Sequence, residues 1–124
     1  MGWQDRRDVS VLLGETIDTI KYNGEDKIEF FTKSGKHYRM MHQQDCCESV
    51  WVEDIIGDIA DLIGSPILMA EEVTKTPDDE DPHDYHESAT WTFYKFATQK
   101  GYVTIRWMGE SNGYYSESVD FEEV

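Results

Sequence analysis

Residues 89–107 read ATWTFYKFATQKGYVTIRW, and this stretch decides how the chain folds. Two runs within it, 89–98 and 102–107, are crowded with β-branched and aromatic residues. These residue types are enriched in strands because they pack well on a pleated surface. The connection between the runs, 99–101, is short and ends in glycine, as turns between paired strands often do. The stretch therefore predicts an antiparallel β-hairpin.

The amino-terminal third of the chain predicts three more antiparallel strands in a row. Residues 16–22 alternate enough to form a strand and end at the turn signal Asn23-Gly24. Residues 27–32 and 37–41 flank a short glycine-containing connection that is typical of a second hairpin.

The segment after these strands has the spacing of an amphipathic helix. Apolar residues recur there at intervals of three and four, and they are Val52, Ile55, Ile56, Ile59, Leu62 and Ile63. Gly64-Ser65-Pro66 follows at once, and Gly and Pro end helices. Beyond this segment, residues 66–74 and 114–121 return to extended patterns.

These elements together predict an α+β fold. We expect a twisted antiparallel sheet of about six or seven strands with one amphipathic helix packed on it. Residues 14–124 are expected to form a single domain, because a chain of 124 residues usually folds around one core. Residues 1–13 are then an amino-terminal extension.

The charge of the chain excludes several classes of partner. Twenty-six acidic and eleven basic residues give a net charge of −15, which opposes binding to nucleic acid and to anionic membranes. The first 39 residues are neutral overall, so the whole excess lies beyond them. No apolar run is long enough for a signal peptide or a membrane span, and the only two cysteines are adjacent. A reducing cytoplasm, that of a host bacterial cell, is the expected compartment.

Two acidic segments are candidate contact surfaces for a basic partner. On the predicted helix, one face carries Glu53, Asp54, Asp58 and Asp61. In the polar loop that follows residue 76, the candidate residues are Asp78, Asp79, Glu80, Asp81 and Asp84. Carboxylates grouped in this way can compete for the Arg and Lys side chains of a groove that holds nucleic acid. The alternative is that both segments are solvated parts of an acidic protein.

The same sequence holds a set of candidate zinc ligands. His42 and Cys46 are four residues apart, His83 and His86 are three apart, and Cys47 is adjacent to Cys46. One pair from each segment would complete a tetrahedral site of nitrogen and sulfur ligands. Adjacent cysteines diverge, however, so a reactive thiol or two buried thiols are alternatives. We expect no cofactor other than this possible zinc ion.

The sequence contains no motif for catalysis. G-x-S-x-G, H-E-x-x-H and a phosphate-binding Walker loop are all absent. We therefore expect a protein that is not an enzyme.

Five segments of the chain resemble one family. They are 38–50 (YRMMHQQDCCESV), 61–67 (DLIGSPI), 90–98 (TWTFYKFAT), 100–107 (KGYVTIRW) and 109–119 (GESNGYYSESV). They are similar to small acidic proteins encoded in tailed phages and prophages of Gram-positive bacteria. The resemblance implies a phage setting, and a small acidic phage protein without a catalytic motif resembles the anti-CRISPR class.

These observations together predict an inhibitor that acts by binding. The expected partner is a host defence protein with a basic nucleic-acid-binding surface, and Cas9, blocked in its contacts with DNA or guide RNA, is the most concrete example. The alternative is a zinc-stabilised protein-binding module of a phage with an unrelated host partner.

Overall fold

The computed structural model describes residues 7–44, 47–76, 88–111 and 116–124. In this part of the chain, eight strands form two antiparallel sheets of four strands each, with the orders β1-β2-β3-β8 and β4-β7-β6-β5. The strands are β1 Ile17–Tyr22, β2 Lys27–Thr32, β3 His37–Met41, β4 Ser49–Ile56, β5 Met69–Lys75, β6 Ser88–Thr98, β7 Gly101–Ser111 and β8 Asp120–Glu123. Two short 3₁₀ turns, Val9–Leu12 and Ile59–Leu62, accompany them.

The predicted hairpin at 89–107 is confirmed as β6 and β7. The two strands pair without a bulge from Ser88 opposite Ser111 to Thr98 opposite Gly101. The three predicted amino-terminal strands are confirmed as well, since β2 pairs with both β1 and β3.

The two sheets pack face to face around one aromatic core. Phe30 of the first sheet and Phe96 of the second are both buried, and their ring centroids are 6.1 Å apart. The indole Nε1 of Trp107 donates to the sulfur of Met40 at 3.3 Å, again from one sheet to the other. Val9 and Leu12, which precede residue 14, are also buried in this core.

The predicted α+β fold with an amphipathic helix is wrong, because the apolar residues that suggested the helix lie on a strand and a 3₁₀ turn. β4 contains a bulge, since Val52 lies opposite Trp107 and Asp54 lies opposite Arg106, which leaves Glu53 as an extra residue. A bulge of one residue moves the inward-facing positions from even to odd numbers. The core-facing residues of β4 thereby acquire a spacing of three, which imitates a helix.

The end of β4 is fixed by a glycine. Gly57 has a φ of +101°, and a Cβ at this position would lie 2.5 Å from the carbonyl oxygen of Tyr102. The chain turns here into the 3₁₀ turn, where the side chain of Asp58 accepts a hydrogen bond from the Ala60 N–H at 3.0 Å. In the described residues, none of the helical segments is long and apolar enough to cross a membrane.

Candidate functional site: an acidic cavity beside β4

A cavity of about 580 Å³ opens where the first residues of β4 meet the turn between β1 and β2. Its lining includes the four carboxylates of Glu25, Asp26, Glu48 and Glu110. Trp51 and Gln44 also line it, and no Lys or Arg is among its described lining residues. The cavity is therefore strongly acidic and has an aromatic wall.

The turn that carries Glu25 and Asp26 is held rigidly by one side chain. Asn23 Oδ1 accepts hydrogen bonds from the N–H groups of Glu25 at 2.9 Å, Asp26 at 2.9 Å and Lys27 at 3.1 Å. Asn23 Nδ2 donates to Asp26 Oδ1 at 2.7 Å. An asparagine that bonds to the following backbone in this way stabilises a tight turn. Both carboxylates are therefore presented from a fixed support.

A backbone hydrogen bond joins this turn to β4. The N–H of Val52 donates to the carbonyl oxygen of Glu25 at 2.7 Å. Because Trp51 precedes Val52, the bond fixes the acidic turn beside the indole. The two sheets thus contribute opposite walls of one cavity.

Glu48 forms a buried part of the lining and is held by a histidine. His42 Nε2 lies 2.6 Å from Glu48 Oε2, and the two side chains are only 4% and 0% exposed. His42 Nδ1 lies 2.7 Å from the carbonyl oxygen of Ser118. A carbonyl oxygen only accepts, so Nδ1 carries a proton, and a second proton lies between Nε2 and Glu48. The histidine therefore fixes the orientation of the Glu48 carboxyl group.

Glu110 contributes a carboxylate whose hydrogen bonding is incomplete. It lies opposite Ser49 in the pairing of β4 with β7. Its Oε2 atom is buried from solvent and has no hydrogen-bond partner in the structure. A buried polar atom without a partner raises the free energy of the folded protein.

The chemistry of the lining favours an organic cation. An ammonium or guanidinium group can bond to carboxylates and lie over an indole face, and both interactions strengthen when water is excluded. Across residues 7–44, 47–76, 88–111 and 116–124, no three His, Cys, Asp or Glu side chains are grouped closely enough to hold a metal ion. The cavity carboxylates come from three separate segments of the chain, and an extended side chain such as arginine can contact several of them.

The acidic residues predicted to share a helix face do not share one, because the helix is absent. Glu53 Oε1 accepts hydrogen bonds from Nε of Arg106 at 2.8 Å and from its Nη2, and Asp54 Oδ2 lies 3.8 Å from the same Nη2. These two carboxylates are therefore partly neutralised.

The other two members of that set lie at the 3₁₀ turn. Asp58 caps the turn, and the backbone oxygen of Asp61 accepts from Thr98 Oγ1 at 2.6 Å. The predicted contact residues Asp78, Asp79, Glu80, Asp81 and Asp84 lie outside the described residues.

The candidate zinc ligands are only partly within the described chain. His42 bonds to Glu48 and to Ser118, as given above. Cys47 is exposed and disulfide-bonded in the structure, and the zinc set stays a prediction. Cys46, His83 and His86 lie outside the described residues.

Sequence reasoning missed the four carboxylates of the cavity. They come from three distant segments, so no local motif contains them. One signal was present, since the absence of Lys and Arg between residues 40 and 74 marks the part of the chain that holds Glu48 and Trp51. Only the pairing of β4 with β7 brings Glu110 to the same place.

Comparison with known proteins gives a family without an assigned activity. Residues 10–121 match the family model described as Domain of unknown function (DUF7448). No curated protein and no solved structure matches the chain significantly.

Proposed function

We propose that this chain, which belongs to the DUF7448 family, is a non-enzymatic binding protein that holds a basic side chain of a partner protein in its acidic cavity. The observation that carries the proposal is the lining itself, whose described residues include four carboxylates and Trp51 but no lysine or arginine. Charge complementarity of this kind steers a basic partner and excludes acidic ones.

We further propose that the partner is a basic, nucleic-acid-handling defence protein of a bacterial host, bound in the host cytoplasm. The net charge of −15 and the resemblance to small acidic phage proteins support this class. Cas9 is the concrete partner to test first. An arginine or lysine that normally contacts DNA or guide RNA would enter the cavity instead, and the nucleic acid would be displaced by competition.

The cavity, rather than Glu53 and Asp54, supplies the central contact in this proposal. Arg106 already forms ion pairs with both of those carboxylates, so their attraction for a basic partner is weaker. Glu110 contributes a carboxylate to the cavity lining from β7, opposite the turn that carries Glu25 and Asp26. The acidic residues from Asp78 to Asp84 would add long-range attraction.

The test is to measure by calorimetry the affinity of purified Cas9 for the wild-type protein and for two variants that each lose one negative charge. Glu110→Gln removes one charge from the cavity, and Asp18→Asn removes one from the far end of β1. We expect Glu110→Gln to weaken binding about tenfold or more, since it removes a charged partner from a desolvated contact. Asp18→Asn is expected to change affinity by less than about twofold, because its charge is exposed.

The salt dependence of binding and the difference in affinity between the two variants test the proposal. Binding should weaken as ionic strength rises, because the Debye length falls to about 10 Å at 0.1 M salt. Equal losses in the two variants would show that bulk charge, not the cavity, makes the contact. No binding to Cas9 would remove that partner, and the variants would then be compared on partners captured from host lysate.

A further inference from the structure

The edges of the two sheets differ in how they are protected. Each sheet has two edge strands, β1 and β8 in the first and β4 and β5 in the second. An edge strand carries backbone N–H and C=O groups that can pair with another chain. Folded proteins usually block this pairing with bulges, short strands or covering segments.

Three of the four edges are blocked in this way. β1 contains a bulge between Ile17 and Thr19, and β4 contains one at Glu53. β8 has only four residues, and the carbonyl oxygen of Phe121 accepts a hydrogen bond from the Arg7 N–H at 2.8 Å.

The edge of β5 is long and regular, and within the described residues no other strand pairs with its outer side. β5 pairs with β6 without a bulge, from Met69 opposite Ala97 to Lys75 opposite Trp91. Before β5 the edge is closed, since the Gly14 N–H donates to the carbonyl oxygen of Ile67 at 2.9 Å. From residue 71 to residue 75 every side chain is exposed, and no backbone hydrogen bond reaches the outer edge from elsewhere in the described chain.

The sequence of this edge is complementary to itself when a second copy runs antiparallel to it. In the register centred on Val73, Glu71 lies opposite Lys75 of the partner subunit and Lys75 lies opposite Glu71 of the partner subunit. The two Val73 side chains, each 40% exposed in the single chain, then meet at the symmetry axis. Opposite charges and β-branched pairs at facing positions stabilise strand pairing.

The two neighbouring registers place less favourable residue pairs opposite each other. A register centred on Glu72 places two Glu72 side chains directly opposite each other, and facing like charges destabilise a strand pair. A register centred on Thr74 places Lys75 opposite Val73 of the partner subunit, so neither Lys75 meets a carboxylate. Of these three registers, only the one centred on Val73 places Glu71 and Lys75 opposite each other.

We propose that β5 pairs with β5 of a second copy of this chain, in the antiparallel register centred on Val73. The two β4-β7-β6-β5 sheets then form one continuous sheet across a two-fold axis. Each chain carries a net charge of −15, so the copies repel at low ionic strength and the dimer tightens as salt rises. This salt dependence is opposite to that of the proposed binding to a basic partner.

The first test is the molecular mass in solution by sedimentation velocity at moderate salt. We expect a concentration-dependent rise from the 14.4 kDa chain toward twice that mass. Glu71→Lys and Lys75→Glu each place like charges opposite each other twice, and each should weaken the dimer about three- to tenfold. The double variant keeps the net charge and restores both pairs, so it should return to the wild-type dissociation constant.

The second test fixes the register by cross-linking in a background with both native cysteines replaced by serine. Val73→Cys places two thiols opposite each other on the axis, whereas Thr74→Cys places its thiol opposite Glu72 of the partner subunit. Mild oxidation should give a disulfide-linked dimer with Val73→Cys and little with Thr74→Cys. Both positions are exposed, and circular dichroism confirms that the variants fold.

Two kinds of result would overturn the proposal. A chain that stays at monomer mass at all concentrations, with equal cross-linking of the two cysteine variants, overturns the proposal. A dimer that is insensitive to the charge swaps, or that cross-links equally at both positions, shows that another surface makes the contact and overturns the β5 register.

Discussion

His42 and Glu48 form a buried pair that joins the two sheets, with Nε2 of the histidine 2.6 Å from Oε2 of the glutamate. His42 follows β3 in the first sheet, and Glu48 precedes β4 in the second. The other ring nitrogen bonds to Ser118, in the segment that leads into β8. The imidazole ring of His42 thus links three separate segments of the chain.

The first prediction follows from the burial of this pair. We expect His42→Ala to lower the free energy of unfolding by about 3–5 kcal/mol, because it leaves the Glu48 carboxyl group buried without its partner. The measurement is urea denaturation followed by tryptophan fluorescence. His37→Ala is the control, since His37 bonds to Glu29 at 2.9 Å on a surface where its side chain is 27% exposed. A loss of less than about 1 kcal/mol is expected there, and equal losses would contradict the role given to His42.

The structure also shows which parts of the fold local sequence can predict. The hairpin of β6 and β7 was predictable because its strands are rich in β-branched and aromatic residues and its turn contains Gly101. β4 was not, because the bulge at Glu53 breaks the alternation of a strand and creates the spacing of a helix. Bulges depend on the neighbouring strand, here β7, and that pairing has no local signature. The same is true of the cavity, since Glu110 reaches it only through this pairing.

The second prediction separates the strand from the helix at adjacent residues. Both Ile55 and Ile56 belong to the apolar stripe of the predicted helix, but of these two residues Ile55 packs against the core in β4 and Ile56 does not. Ile56 is 50% exposed. We expect Ile55→Ala to destabilise the protein by about 1–3 kcal/mol and Ile56→Ala by less than about 0.5 kcal/mol. Similar losses at both positions, measured by thermal and urea unfolding, would argue against the bulged strand.

The third prediction concerns acid stability at the first 3₁₀ turn. The backbone N–H of Ser10, and then its side chain, bond to Asp8 and lower the pKa of this carboxyl group below its usual 3.8. A lowered folded-state pKa adds stability above the unfolded-state pKa, and that stability is lost as the pH falls through the folded-state value.

Asp8→Asn keeps a capping oxygen but removes the titration. The wild type should therefore be modestly more stable than Asp8→Asn above about pH 4, and the difference should vanish as the pH falls below the folded-state pKa. Urea unfolding between pH 2 and 6 measures it. A constant difference across that range would show that Asp8 does not titrate in this way.

The last prediction compares two glutamates that each have a buried oxygen without a hydrogen-bond partner, Glu110 and Glu122. They differ in their other oxygen, since Glu122 Oε1 accepts from Arg39 Nε at 3.1 Å and from Gln43 Nε2 at 3.2 Å. Glu122 therefore stabilises the fold, whereas Glu110 lies among the other carboxylates of the cavity.

We expect Glu110→Gln to stabilise the unbound protein by about 0.5–1 kcal/mol, because it relieves repulsion within the cavity. Glu122→Gln should destabilise it by about 1–3 kcal/mol, because it weakens a charge-assisted bond to Arg39 at a buried site. Chemical denaturation of both variants gives the sign of each change in the free energy of unfolding. A residue whose replacement stabilises the fold while weakening partner binding is retained for binding, so opposite signs for the two variants would support the cavity as the contact site. If Glu110→Gln instead destabilises the protein as much as Glu122→Gln does, Glu110 has a structural role and the proposed contact loses its main support.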